Sequence, residues 1–183
     1  MKQYKRFFTL VIIFVICTEG VDIYAYEEGM SWGYRYGPTM MNYADGSMDA
    51  WFAAPGAAGP WDYLIYRHSE DGSIWSDEKV VLQPLADTMD YASVCDPGSV
   101  FFNGYYYLGY TSTIYGGGVS NNCFVARSRT PDGPYEKWNG SGWGGEPAPI
   151  VYYTDQHTAF GAGELSFVEV DGTLYIYYTW KSL

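Results

Sequence analysis

One β-hairpin unit recurs along this chain, and in two of its copies an acid stands at the same offset from the turn. Asp96-Pro97-Gly98 leads into an apolar run at 99–102, a turn at Asn103-Gly104 and an aromatic run at 105–110. Gly163-Glu164 leads into 165–170, a turn at Asp171-Gly172 and a further run at 173–180. Each carboxylate lies eight residues before its turn glycine (104 − 96 = 8; 172 − 164 = 8). Asp45-Gly46 reads as a third turn of the same kind, which puts the turn glycines at positions 46, 104 and 172. A second register agrees: Arg67-His68-Ser69 followed by Asp71-Gly72 and Trp75 is matched by Ala126-Arg127-Ser128 followed by Asp132-Gly133 and Tyr135. Asn-Gly and Asp-Gly between alternating apolar runs mark hairpins, because both turn residues must reach positive φ. Multi-stranded units repeated on this scale point to a propeller or solenoid, and radial repetition hides sheet edges. The expected fold is all-β, a β-propeller, with a β-sandwich of hairpins as the alternative. Acids at one point of successive blades converge on one end of the array, and a converging Asp and Glu pair is what glycosidic bond hydrolysis needs.

The segment 1–25 reads as a secretory signal. Lys2, Lys5 and Arg6 precede an apolar core at 7–17, too short to span a bilayer, and Ala25 offers a small residue for cleavage. The alternative is a membrane anchor. Export of the segment 26–183 makes the expected location extracellular. That part keeps 7 of 10 basic and 19 of 21 acidic residues, a net charge of −12 (7 − 19). Such a balance argues against nucleic acid and against anionic membrane surfaces, and suits a neutral ligand. Aromatics make up 20% of the chain; strands favour them in cores, aromatic rings also stack on the C–H faces of sugars, and composition does not separate the two. Cys95 and Cys123 remain after the signal, and an exported chain can keep a disulfide. Such a bond would be worth on the order of 3 kcal/mol for a loop of this length. His68 and His157 are isolated, so no metal-ligand spacing is present and no cofactor is expected.

Three units follow from the spacing: 36–84, 91–138 and 162–183. A propeller closes with four to eight blades, so the expectation is an N-terminal fragment of about two and a half blades. A small complete domain is the alternative. Asp96-Pro97 before an aromatic hairpin, Ser128 to Pro134 (Ser-Arg-Thr-Pro-Asp-Gly-Pro), and Gly163-Glu164 before the next hairpin resemble the five-bladed propeller glycoside hydrolases. These are the β-xylosidase and arabinanase group of family 43 and its relatives the invertases and levansucrases. Ser69 to Trp75 also resembles a shortened Asp-box of the sialidase type, which keeps a six-bladed propeller as a rival.

The resemblance implies three acids, one from each of the first three blades. It makes Asp96 the residue that stabilises the transition state and Glu164 the general acid. The first position departs from the pattern, since Gly37-Pro38 stands where Asp-Pro is expected. Asp49, Asp62 and Asp90 are the nearby acids that could substitute. Otherwise the missing acid comes from outside this chain, or a phosphate-assisted route needs fewer acids, or the protein binds sugar without cleaving it. Glu164 sits among Ala162, Gly163 and Leu165, a small apolar setting expected to raise its pKa by desolvation. Trp32, Tyr36, Trp61 and Trp143 lie in glycine-rich stretches and are candidates for stacking on sugar rings; Arg35 and His157 are candidates for polar contact with substrate. The function that follows is a secreted β-xylosidase or α-arabinofuranosidase acting on plant or microbial oligosaccharides, with a carbohydrate-binding or sialidase-like propeller as the alternative.

Overall fold

A computed structural model describes residues 34–55, 62–113, 120–154 and 160–181. Residues 1–25, Trp32, Trp61 and His157 lie outside these residues. The described chain is all-β. Four strands, β1 (Tyr36–Asn42), β2 (Met48–Pro55), β3 (Asp62–Ser69) and β4 (Lys79–Leu82), pair in sequence order into one antiparallel sheet. β5 (Cys95–Phe102), β6 (Tyr105–Thr113), β7 (Asn121–Ser128) and the short β8 (Glu136–Lys137) repeat that order. β9 (Gly161–Val170) and β10 (Thr173–Lys181) form a third hairpin. The described residues therefore hold two four-stranded blades and the first two strands of a third.

The turns follow their chemistry. Asn103-Gly104 and Asp171-Gly172 have both residues at positive φ (48° and 79°; 51° and 77°), the two-residue hairpin of mirror-image type I geometry. Asp45-Gly46 differs. Gly46 donates its N–H to Tyr43 O at 3.0 Å, and Tyr43 and Ser47 pair across a three-residue loop. That extra residue is why Gly37 precedes its turn glycine by nine rather than eight (46 − 37 = 9).

Each blade buries one face on the next. Trp51, Leu64 and Tyr66 of the first blade meet Leu108, Tyr110 and Phe124 of the second in one buried cluster. Leu165 and Ala162 of β9 pack with Cys123 and Tyr153 in another. Between the second and third blades the backbones approach closely. A Cβ at Gly98 would lie 2.1 Å from Leu165 O, and one at Gly161 would lie 2.4 Å from Asn121 O. A single parallel bridge, Asn121 to Gly161, joins β7 to β9 there. On β10, Tyr175, Tyr177 and Trp180 are exposed.

The disulfide does not form. Cys95 pairs with Thr111, and Thr111 pairs with Cys123, so the two thiols sit on strands that flank β6. Two strand spacings separate their Cα atoms by about 9–10 Å, beyond the roughly 7 Å limit for a bridge. Both are free. Burial pushes the Cys123 thiol up to about 12. Thiol counting on the unreduced, denatured protein should therefore find Cys95 and Cys123 both reactive. A protected pair would contradict this register.

Candidate active site

Gly37, Asp96 and Glu164 share one backbone geometry. Their φ angles are 58°, 48° and 55°. Each sits where strand pairing slips: between Tyr36 and Thr39, between Cys95 and Gly98, and opposite the slip from Tyr177 to Thr179. A bulge inserts one residue and re-aims its side chain, and bulges recur beside active sites. Asp tolerates left-handed φ through its short polar side chain. Glu lacks that short side chain, and strain of this kind clusters at functional positions.

The structure brings the two acids together. Asp96 and Glu164 line one cavity of about 250 Å³. Asn121, Phe160, Thr179 and Lys181 complete its wall. Thr111 anchors the strand end that carries Glu164: its hydroxyl accepts the Glu164 N–H at 3.0 Å. The Cys95 thiol donates to Asp96 Oδ2 at 3.4 Å. Burial pushes the Asp96 carboxyl above its ordinary value; the charges of Glu164 and Asp62 push it further, against hydrogen bonds from Cys95 and Thr111. The enclosure expected around Glu164 is not formed, because that side chain is exposed at the open side of the cavity. Desolvation falls on Asp96 instead.

A carboxyl raised by folding binds more protons in the folded than in the unfolded chain, so stability falls with rising pH across that window. Asp96's contribution is full below its unfolded value, near 3.8, and is lost as pH rises through the folded value. Asp96→Asn removes this penalty and keeps a residue suited to left-handed φ. The variant should melt higher than the natural chain at pH 7, with the gap closing below about pH 4. A lower melting temperature at pH 7 would overturn the assignment.

The acids named as substitutes for the one missing at Gly37 have separate fates. Asp49 is buried at the start of β2, the opposite end of the blade, where it accepts from Tyr43, Tyr66 and His68. Asp90 is fully buried and is held by Tyr110, Lys137 and the Leu85 N–H. Asp62 begins β3, the end of the blade at which Gly37 stands, and accepts from Tyr34 and Tyr36. At Gly37 itself nothing replaces the acid: a Cβ there would lie 3.8 Å from Asp96 Oδ1.

The remaining candidates are dispersed. Arg35 pairs with Glu78 at 2.8 Å. With Tyr36 it lines a different cavity, of about 260 Å³, against Met40, Phe52 and Trp75. Trp143 packs edge-on against Trp138 and Tyr107 beneath the Arg127 guanidinium. Tyr107 is four residues along β6 from Thr111 (111 − 107), about 13 Å, so Trp143 is not part of the carboxylate cavity. Sequence reasoning missed Thr111, Phe160 and Lys181. Phe160 is 64% exposed at the cavity, placed as a stacking ring would be. Its signal was weak: an aromatic just before the glycine that opens β9.

No family model matches the sequence, and no curated protein is similar to it. Solved structures are. The family 117 glycoside hydrolase Zg3597 of the marine bacterium Zobellia galactanivorans superposes with a TM-score of 0.59 at 19% identity, over 84% of this chain and 50% of that one. A thermostable family 43 glycoside hydrolase gives 0.60 at 18% identity, with the same coverage. A family 43 β-xylosidase/α-arabinofuranosidase from a compost microbial metagenome, solved with xylotriose, gives 0.54 at 19% identity over 80% of this chain and 43% of that one. The fold is the propeller of these glycoside hydrolases. The chain spans about half the length of the structures it matches.

Proposed function

We propose that this chain carries the acid-bearing blades of an exported propeller glycoside hydrolase, acting on β-xylosides or α-arabinofuranosides of plant or microbial oligosaccharides. The observation that carries the reading is the shared cavity of Asp96 and Glu164, each delivered by a left-handed bulge at one point of successive blades. Glu164, at the open side, protonates the glycosidic oxygen as the C–O bond breaks, and the bonding electrons leave with that oxygen. Asp96, on the enclosed side, faces the positive charge that develops on the sugar. Water then adds to the anomeric carbon and gives up a proton. Gly37 holds no carboxylate to take it, so the base is unassigned and retention or inversion does not follow from the two acids alone. Phe160 offers an apolar face to the ring. Incubation of the full chain with xylotriose and with aryl β-xylosides and α-arabinofuranosides tests the reading: release of xylose, arabinose or the aryl alcohol supports it.

Gly37 favours one second reading, a propeller that binds sugar without cleaving it. Retained glycan binding, with no turnover on any of these substrates, selects the binder.

A further inference from the structure

At the far end of the second blade two arginines meet over one tyrosine. The Arg127 guanidinium lies 4.2 Å from the centre of the Tyr105 ring, and that of Arg129 lies 4.1 Å from it. The two guanidinium carbons are therefore no more than 8.3 Å apart (4.2 + 4.1). The Trp143 ring meets Arg127 at 4.3 Å. Tyr105 opens β6 and Thr111 stands six residues on (111 − 105), about 20 Å along the strand, so this cluster is remote from the carboxylates. It has a cavity of its own, of about 450 Å³, whose lining includes Tyr105, both arginines, Thr130 and Glu136.

Stacking accounts for the faces of these guanidiniums and leaves their edges unused. Each guanidinium carries five N–H donors, and a cation–π contact engages none of them as a hydrogen bond. The Arg127 side chain is only 22% exposed, and Glu136 Oε2 lies 3.6 Å from its Nε. That Nε is buried without a hydrogen-bond partner. Among the described residues the Arg129 guanidinium makes no hydrogen bond or ion pair. Buried polar groups are normally satisfied, and an exception asks for a reason. The repeat does not supply one. The offset that matches Ser69 with Ser128 (128 − 69 = 59) matches Arg127 with His68 (127 − 59) and Arg129 with Glu70 (129 − 59). His68 meets Asp49 at 2.8 Å and Glu70 at 3.5 Å. The first blade thus balances its charge at these positions, while the second gathers two cations against one glutamate, in a chain of net charge −11.

We propose that this cluster binds an oxyanion carried on a sugar, either the carboxylate of a uronate unit or the sulfate ester of an acidic polysaccharide. A guanidinium fork meets such oxyanions with two N–H bonds at once, and two guanidiniums this close can hold one anion between them. The Tyr105 ring offers apolar surface to the sugar that bears it. Glu136 opposes the anion, but its side chain is 57% exposed and is not hydrogen-bonded to Arg127, so it is free to turn to solvent. The sugar as carrier rests on the glycosidase reading; the oxyanion rests on the arginines alone. At this distance from Asp96 and Glu164 the site anchors a chain and does no chemistry on it.

The test is binding to the full chain, followed by NMR at the Trp143 indole N–H, whose ring abuts Arg127. Trigalacturonate and a sulfated galactan trisaccharide are the anionic probes; xylotriose, acetate and inorganic sulfate are the comparisons. At least one anionic trisaccharide should shift that signal saturably, and the one that does tells carboxylate from sulfate ester. Arg129→Gln, at an exposed position, should weaken this binding about 10-fold. Arg129→Lys, which keeps the charge and loses the fork, should restore only part of it. Three results overturn the proposal: no shift with either probe, an affinity matched by xylotriose, acetate or sulfate, or binding indifferent to Arg129→Gln. Turnover is read separately. Arg129→Gln should leave hydrolysis of aryl xylosides unchanged. A chain that cleaves none of them, yet binds an anionic trisaccharide beside Trp143, loses the glycosidase reading and keeps this site.

Discussion

Glu164→Gln should cost the full chain about 10²–10⁴-fold in kcat on natural xylosides or arabinosides. The leaving oxygen of a sugar is a poor leaving group and needs a proton as the bond breaks. Glu164 offers one from the open side of the cavity it shares with Asp96. Gln fills the same space and cannot supply that proton. A dinitrophenyl glycoside leaves as a stable anion, so the same variant should lose far less on it. The contrast between the two substrates is the measurement. An equal loss on both would make Glu164 a structural or binding residue, and glycan binding measured beside turnover would show which.

Gly98→Ala should destabilise the chain by more than about 3 kcal/mol, or prevent it from folding. The Cβ would sit 2.1 Å from Leu165 O and 3.0 Å from Leu165 C. Both atoms are backbone of β9, so no side chain can swing aside; the third blade must move off the second. Gly109 on the adjacent strand repeats the constraint, with Leu165 Cβ and Phe167 Cζ each 2.9 Å from its would-be Cβ. Gly172→Ala is the comparison. Nothing lies within 4 Å of that position, and only its φ of 77° resists a side chain, at a cost of about 1 kcal/mol. Urea melts separate the two, and limited proteolysis should find the β9–β10 hairpin released in Gly98→Ala. A loss below about 1 kcal/mol there would mean that the second and third blades do not abut in this way.

These outcomes bear on how the site is made. Leu165, which Gly98 and Gly109 admit, is the neighbour of Glu164. The close approach that Gly98→Ala breaks is therefore what carries Glu164 to Thr111 and Asp96. Loss of that contact should disable the cavity before it unfolds the first blade.

Much of this could be read along the chain. Asn103-Gly104 and Asp171-Gly172 specify their own hairpins, because left-handed φ at two successive residues is a local demand that few residues meet. The shared offset from the turn put Asp96 and Glu164 at equivalent points before any contact between them was known. The same comparison exposed Gly37 as the position that departs. It stumbled at Asp45-Gly46, where the turn signal was right and the loop was one residue longer.

What lay beyond the sequence was every relation between side chains on different strands. Two cysteines on one unit looked pairable until Thr111 was found between them. Tyr36 and Trp143 were equal as aromatic candidates, yet one clamps Asp62 and the other lies beneath Arg127. Asp49 could be placed last, as an acid within a strand far past the turn, but Asp62 and Asp90 could not be ranked, since their partners are chosen by packing between strands and blades: Val94 reaches Asp62 from ahead of β5, and Tyr34 reaches it from ahead of β1. Repeat, turn and bulge are set locally, by φ and by alternation, so the chain spells them out. Burial and charge depend on which distant strand arrives alongside, and the fold alone decided that Asp96 rather than Glu164 is the more buried acid.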